Sequence, residues 1–130
     1  DASAAKLNGY DFVWNYYSNV KGGGTANIRP TKDSVVWGLL LEVDSRLLEA
    51  LDRKQGSPTS YSRGAKRIPV RRVEDGRTVL AWVYTAKPNR DGRTDVWPTN
   101  RYKKDIAQAA SFWGFPQRYV EKIRQWHTNR

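Results

Sequence analysis

The sequence predicts an α+β fold: a small mixed β-barrel or strongly curved sheet with flanking helices. Three observations point there. Strand-like segments, either alternating at period two or continuously apolar, dominate residues 10–86. A single amphipathic segment of helical spacing interrupts them. The last third carries two further helical patterns and no strand pattern.

The elements follow in order. Tyr10, Phe12, Trp14 and Tyr16 alternate, which predicts a half-buried strand over Tyr10–Tyr17, broken by Gly22-Gly23-Gly24. Thr25 to Arg29 reads as a second short strand stopped by Pro30. Ser34 to Val43 is continuously apolar, as in a central strand buried on both faces. Asp44 or Ser45 caps the next element, a helix with Leu47, Leu48 and Leu51 on its apolar face. Gly56 stands where a helix-ending glycine is expected. Tyr61 to Val73 predicts a long basic strand, bulged near Pro69. Glu74-Asp75-Gly76-Arg77 carries the Asp-Gly hairpin signal, and Thr78 to Ala86 returns as its partner. Lys87 to Pro98 reads as an exposed loop. Thr99 or Asn100 caps a helix to Gly114 with Tyr102, Ile106, Ala109, Ala110 and Trp113 inward. Pro116 opens a last helix with Tyr119, Val120, Ile123 and Trp126 inward. The reading is five strands, one inserted helix and two C-terminal helices in a single domain.

Composition narrows the chemistry. The chain has 130 residues, 38% of them hydrophobic, with six Trp, seven Tyr and three Phe, which suits one packed domain. It has no Cys, so disulfides, thiol nucleophiles and Cys-held metals are excluded. His127 is the single histidine, which leaves no His cluster for a metal and argues against a Ser-His-Asp triad. No apolar run approaches the roughly 20 residues that span a bilayer, and no signal-peptide pattern is present. A soluble, cytoplasmic protein with no membrane partner is the expectation. The net charge is +10, from 23 Lys+Arg against 13 Asp+Glu. The densest basic patch is Lys66, Arg67, Arg71 and Arg72, a candidate nucleic-acid surface. The other basic residues are dispersed from Lys6 to Arg130, which argues against that partner.

Several segments, in this order, resemble the gamma-glutamylcyclotransferase-like family, which includes butirosin-pathway and gamma-glutamylamine cyclotransferases. They are Ala5-Lys6-Leu7-Asn8-Gly9-Tyr10-Asp11-Phe12, Gly22-Gly23-Gly24-Thr25-Ala26-Asn27-Ile28, Val36-Trp37-Gly38-Leu39-Leu40 and Leu51-Asp52-Arg53-Lys54-Gln55-Gly56. Ala81-Trp82-Val83-Tyr84, Tyr102-Lys103-Lys104 and Gly114-Phe115-Pro116-Gln117-Arg118-Tyr119 complete the set. The resemblance covers nearly the whole chain. It rests on order and spacing rather than on one decisive motif.

The resemblance implies an intramolecular acyl transfer on a small gamma-glutamyl amine or peptide, as in glutathione metabolism. The substrate's α-amine attacks its own side-chain carbonyl, 5-oxoproline forms and an amine leaves. A glutamate takes the amine proton and returns one to the leaving group, and no cofactor takes part. Gln55 occupies the position of that glutamate. An amide hydrogen-bonds but relays no proton, so the resemblance implies an inactive form. An engineered substitution and a natural non-catalytic variant both explain it. Asp52, three residues earlier, is assigned to packing or local capping ahead of a substitute base. The resemblance also places Gly56, Tyr61, Tyr84 and Tyr102 at the substrate, with Gly23 and Gly24 allowing close backbone approach. Arg63 and Arg71 read as solvated strand faces.

Family members begin with a strand and a Tyr-Gly-Ser-Asn loop. Tyr16-Tyr17-Ser18-Asn19 lacks the glycine and reads as the end of another strand. The resemblance therefore implies an N-terminal segment outside this sequence, with a separate chain as one source of it. Two other readings stay open: a non-enzymatic binding module on the same fold, and a basic nucleic-acid-associated domain.

Overall fold

A computed structural model describes residues 2–18, 23–55, 61–86 and 97–126, with the side chains of 15–18, 23–25 and 55 outside that description. The elements run β1 (Ala2–Ser18), β2 (Gly23–Leu41), α1 (Ser45–Gln55), β3 (Tyr61–Ser62), β4 (Ile68–Arg72), β5 (Thr78–Ala81), β6 (Thr85–Ala86), α2 (Asn100–Phe112) and α3 (Gln117–Arg124). The fold is α+β. One sheet has the order β2-β1-β4-β5 and a second pairs β3 with β6. The first sheet is open, so the curved-sheet alternative describes it and the closed barrel does not.

Two compact units are formed, residues 1–11 with 28–87 and residues 12–27 with 88–130. In the first, β4 pairs antiparallel with β1 (Ala5 with Arg72) and with β5 (Val70 with Val79). The Asp-Gly hairpin lies where the sequence placed it. Gly76 has φ +69°, the Arg72 N–H donates to the Arg77 carbonyl at 2.8 Å, and the Arg77 N–H donates to the Asp75 carboxylate at 3.0 Å. Arg72 is held by Glu74 at 3.2 Å and lies 3.6 Å from Asp75, so the basic patch contains one neutralised member.

Three strand expectations are corrected. The segments expected over Thr25–Arg29 and Ser34–Val43 belong to one strand, β2, which ends at Leu41, and Pro30 does not end it. The reason is position: β2 is the sheet edge, where proline is tolerated because the N–H groups on the outer side have no ladder partner. Second, the apolar run of β2 is not a central strand buried on both faces, because Leu39 and Leu41 are 44% and 51% exposed. Its apolar residues instead line a cavity, described below. Third, the long strands over Tyr61–Val73 and Thr78–Ala86 each split in two, into β3 and β4 and into β5 and β6.

The second unit has its own core. Trp14, Ala107, Ala110, Val120 and Ile123 are buried together, with Phe12, Tyr102, Tyr119 and Trp126 packed around them. Thr99 caps α2 by accepting from the Tyr102 N–H at 3.2 Å. The buried face of α2 includes Ala107 and Ala110, whereas Ala109 and Trp113, expected inward, are exposed. Gly114, at φ +75°, turns the chain after α2, and Pro116 stands just before α3 rather than at its first residue. Lys103 closes the far end of α3, its Nζ donating to the carbonyls of Arg124 at 2.6 Å and Trp126 at 3.0 Å. Lys103→Met is expected to cost about 0.5–1 kcal/mol. Amide exchange should quicken at the end of α3; unchanged exchange there refutes the capping role.

The loop expected over Lys87–Pro98 and the terminal His127 fall largely or wholly outside the described residues.

Candidate functional site

The first unit builds a site around α1. Asp44 caps this helix by accepting the Leu47 N–H at 2.8 Å. Leu48 and Leu51, three apart and so on one face, line a cavity of about 600 Å³. Ala5 and Leu7 of β1, Val36, Leu39 and Leu40 of β2 and Val70 of β4 supply more of its apolar wall. That size falls in the range of small-molecule sites. The segment Trp82–Tyr84, between β5 and β6, adds Trp82 and Tyr84.

Asp52 follows Leu51 and meets two donors from distant segments. Arg63, next to the short strand β3, donates its Nε–H to both carboxylate oxygens at 3.0 and 3.1 Å. The Tyr84 hydroxyl donates to Oδ1 at 2.5 Å. Arg63 also lies over the Trp82 ring, 4.5 Å from its centroid. Arg63 is thus a half-buried ion-pair partner and not a solvated strand face. Asp52 likewise ties α1 to two other segments instead of capping its own helix.

These bonds set the charge states. Hydrogen bonds from Arg63 and then Tyr84 hold the Asp52 carboxyl below its usual range. Burial first, and the bond to Asp52 second, push the Tyr84 hydroxyl up to about 12. Asp52 is therefore a bound carboxylate at neutral pH and a weak base. Because its folded-state pKa lies below the ordinary 3.8, its stabilisation is present above that value and is lost as pH falls through the folded pKa. Asp52→Asn should lower the melting temperature at neutral pH. The difference from wild type should shrink in acid below the ordinary carboxylate range. A difference independent of pH would refute the ion-pair account.

The expected site residues divide between the units. Tyr84 lines the cavity. Tyr61 lies on β3, paired with Ala86, and β3 packs on α1. Gln55 is the last residue of α1. Gly56 lies outside the described residues. Gly23 and Gly24 open β2 in the second unit, where only their backbone is described. Tyr102 also belongs to that unit; its hydroxyl accepts the Ala26 N–H at 3.4 Å and burial raises its pKa. The Asp52–Arg63–Tyr84 cluster and Trp82 were not singled out as a site by sequence reasoning. The available signal was a carboxylate, Asp52, and a basic residue, Arg63, on either side of Gly56 in the sequence. Among the described residues no three His, Cys, Asp or Glu converge as metal ligands, and no helix is long and apolar enough to cross a membrane.

The profile of the AIG2-like family matches residues 35–123, more than half of the chain. The chain belongs to the AIG2-like family. The AIG2-like match begins on β2, ends on α3 and includes α1, Asp52, Arg63 and Tyr84. No curated protein matches. Solved structures agree on the fold. One, called gamma-glutamyl cyclotransferase, is 23% identical with a TM-score of 0.84, over 98% of this chain and 74% of its own. A second, the uncharacterized protein loc79017 from Homo sapiens, is 23% identical with a TM-score of 0.83, over 99% and 77%. YkqA from Bacillus subtilis is 16% identical with a TM-score of 0.76, over 98% of this chain and 45% of its own. This AIG2-like chain therefore shares a cyclotransferase-type fold.

Proposed function

We propose that this protein binds a gamma-glutamyl amine or peptide in the cavity beside α1 and, with Gln55 in place of a catalytic glutamate, does not release 5-oxoproline. The observation that carries this reading is the placement of α1. Leu48 and Leu51 line the cavity, and α1 ends at Gln55. The spacing of three, then four, residues puts position 55 on the same helix face.

The chemistry follows from that position. An ammonium has no lone pair, so the α-amine must lose a proton before its nitrogen attacks the side-chain carbonyl. The carbon–nitrogen bond to the leaving amine then breaks, and that amine takes up a proton. A carboxylate at position 55 performs both transfers; an amide performs neither. Asp52 is no substitute, since Arg63 and Tyr84 already occupy it.

A binding module is the second reading, and the amide at position 55 favours it. It differs only in requiring that the natural gene encode glutamine there. Calorimetric titration of the full-length protein with 5-oxoproline and a series of gamma-glutamyl amines tests the common core. Saturable binding of a member supports it, and absence of binding across the series overturns it.

A further inference from the structure

We propose that the sheet face carrying Lys6, Arg71 and Thr78 docks the phosphate backbone of a single-stranded nucleic acid. This inference is independent of the function proposed above.

The strand register puts the three residues in one row. Lys6 of β1 stands opposite Arg71 of β4, and Arg71 stands opposite Thr78 of β5. Residues opposite one another share a face of the sheet, with Cβ atoms about 4.5–5.5 Å apart. The flanking Ala5, Leu7 and Val70 are buried and line the cavity, so the row emerges on the other face. Arg71 and Thr78 are exposed. Lys6 is half-buried, with its Nζ 5.4 Å from the centre of the Trp37 ring.

Two like charges directly opposite each other destabilise a sheet. Among the described residues neither Lys6 nor Arg71 has a carboxylate partner. A phosphate group between them accepts from the ammonium, the guanidinium and the Thr78 hydroxyl, and replaces repulsion with a shared attraction.

The folded chain thus changes the membership of the basic patch. Arg72 belongs to the opposite face, beside Ala5, and is paired with Glu74. Arg67 lies 6.0 Å from the centre of the Trp82 ring, on the cavity wall. Lys6 joins Arg71 from far away in sequence, so dispersal along the chain is not dispersal in space. Exposed Lys66 before β4 and exposed Arg77 in the turn after it carry positive charge past both ends of the strand. A track of cations suits a polymer of phosphates better than a single headgroup. Val73 and Leu80 lie two residues from Arg71 and Thr78, hence on the same face, and are 43% and 61% exposed. Apolar side chains beside the cations can contact unstacked bases, which a duplex hides.

Fluorescence anisotropy on the full-length protein, with a labelled single-stranded oligonucleotide of about 12 nucleotides, should show saturable binding at low salt. Rising salt should weaken it with a log–log slope of about −2, as for about three phosphate contacts. Arg71→Gln and Lys6→Gln should each weaken binding about tenfold and make the slope shallower by about 0.7. Each should leave the melting temperature unchanged or raise it, because one of two opposed charges is gone. A merely structural role for either residue would lower it. No binding at low salt, or binding that both variants retain in full, overturns the proposal. So does tighter binding of a duplex of the same length, or binding to anionic phospholipid vesicles, in place of the oligonucleotide, that both substitutions abolish.

Discussion

Gln55→Glu in the full-length protein is expected to release 5-oxoproline from a gamma-glutamyl substrate at least about 10²-fold, and up to about 10⁴-fold, faster than the glutamine form. The substitution adds one titratable group at the end of α1 and changes side-chain size little. Its effect should therefore fall on turnover and not on binding, so the affinity for 5-oxoproline should change far less than the rate. The rate should follow the ionised fraction of the new carboxyl, rising through the acidic range before levelling. Chromatographic detection of 5-oxoproline across a series of gamma-glutamyl amines and peptides reads the result. If no member is turned over, the cyclotransferase reading fails and only the binding module survives.

Trp14→Ala should produce the largest loss of stability, about 3–5 kcal/mol. Trp14 is 0% exposed and sits at the centre of the second unit's core. Its ring meets Phe12 at 4.9 Å, Tyr102 at 5.7 Å and Trp126 at 6.2 Å, all edge to face. Removing it leaves a void among side chains drawn from β1, α2 and the end of α3. Since whole domains are stable by about 5–15 kcal/mol, such a loss should populate unfolded forms of this unit. Trp14→Phe should cost less than half as much. It keeps an aromatic ring and removes the Nε1–H, which is buried without a hydrogen-bond partner among the described residues. Urea unfolding followed by near-ultraviolet circular dichroism measures both. A loss below about 1 kcal/mol for Trp14→Ala would contradict this account of the core.

Much of the fold was legible because its signals are local. The strand over Tyr10–Tyr17, the Asp75-Gly76 turn, the Asp44 and Thr99 caps and the inward stripe of α3 each depend on residues close in sequence. The misread elements share a different feature. Pro30 ends a central strand but not an edge strand, and only the sheet order decides which β2 is. A continuous apolar run fits a strand buried on both faces and equally a cavity wall, and β2 is the second.

The site divides the same way. The family resemblance rested on short segments, and it led to the α+β class and to the end of α1, where the proposed function puts the proton transfer at position 55. Residue type alone sets that last point, because an amide cannot carry a proton wherever it lies. The partners of Asp52 were beyond sequence reading. Arg63 and Tyr84 are 11 and 32 residues away, and no spacing rule predicts which carboxylate a guanidinium and a phenol will share. Local patterns determine which segments become helix and strand. The tertiary structure brings α1, Arg63 and the Trp82–Tyr84 segment together, and only there do Asp52 acquire its donors and Arg67 its place on the cavity wall.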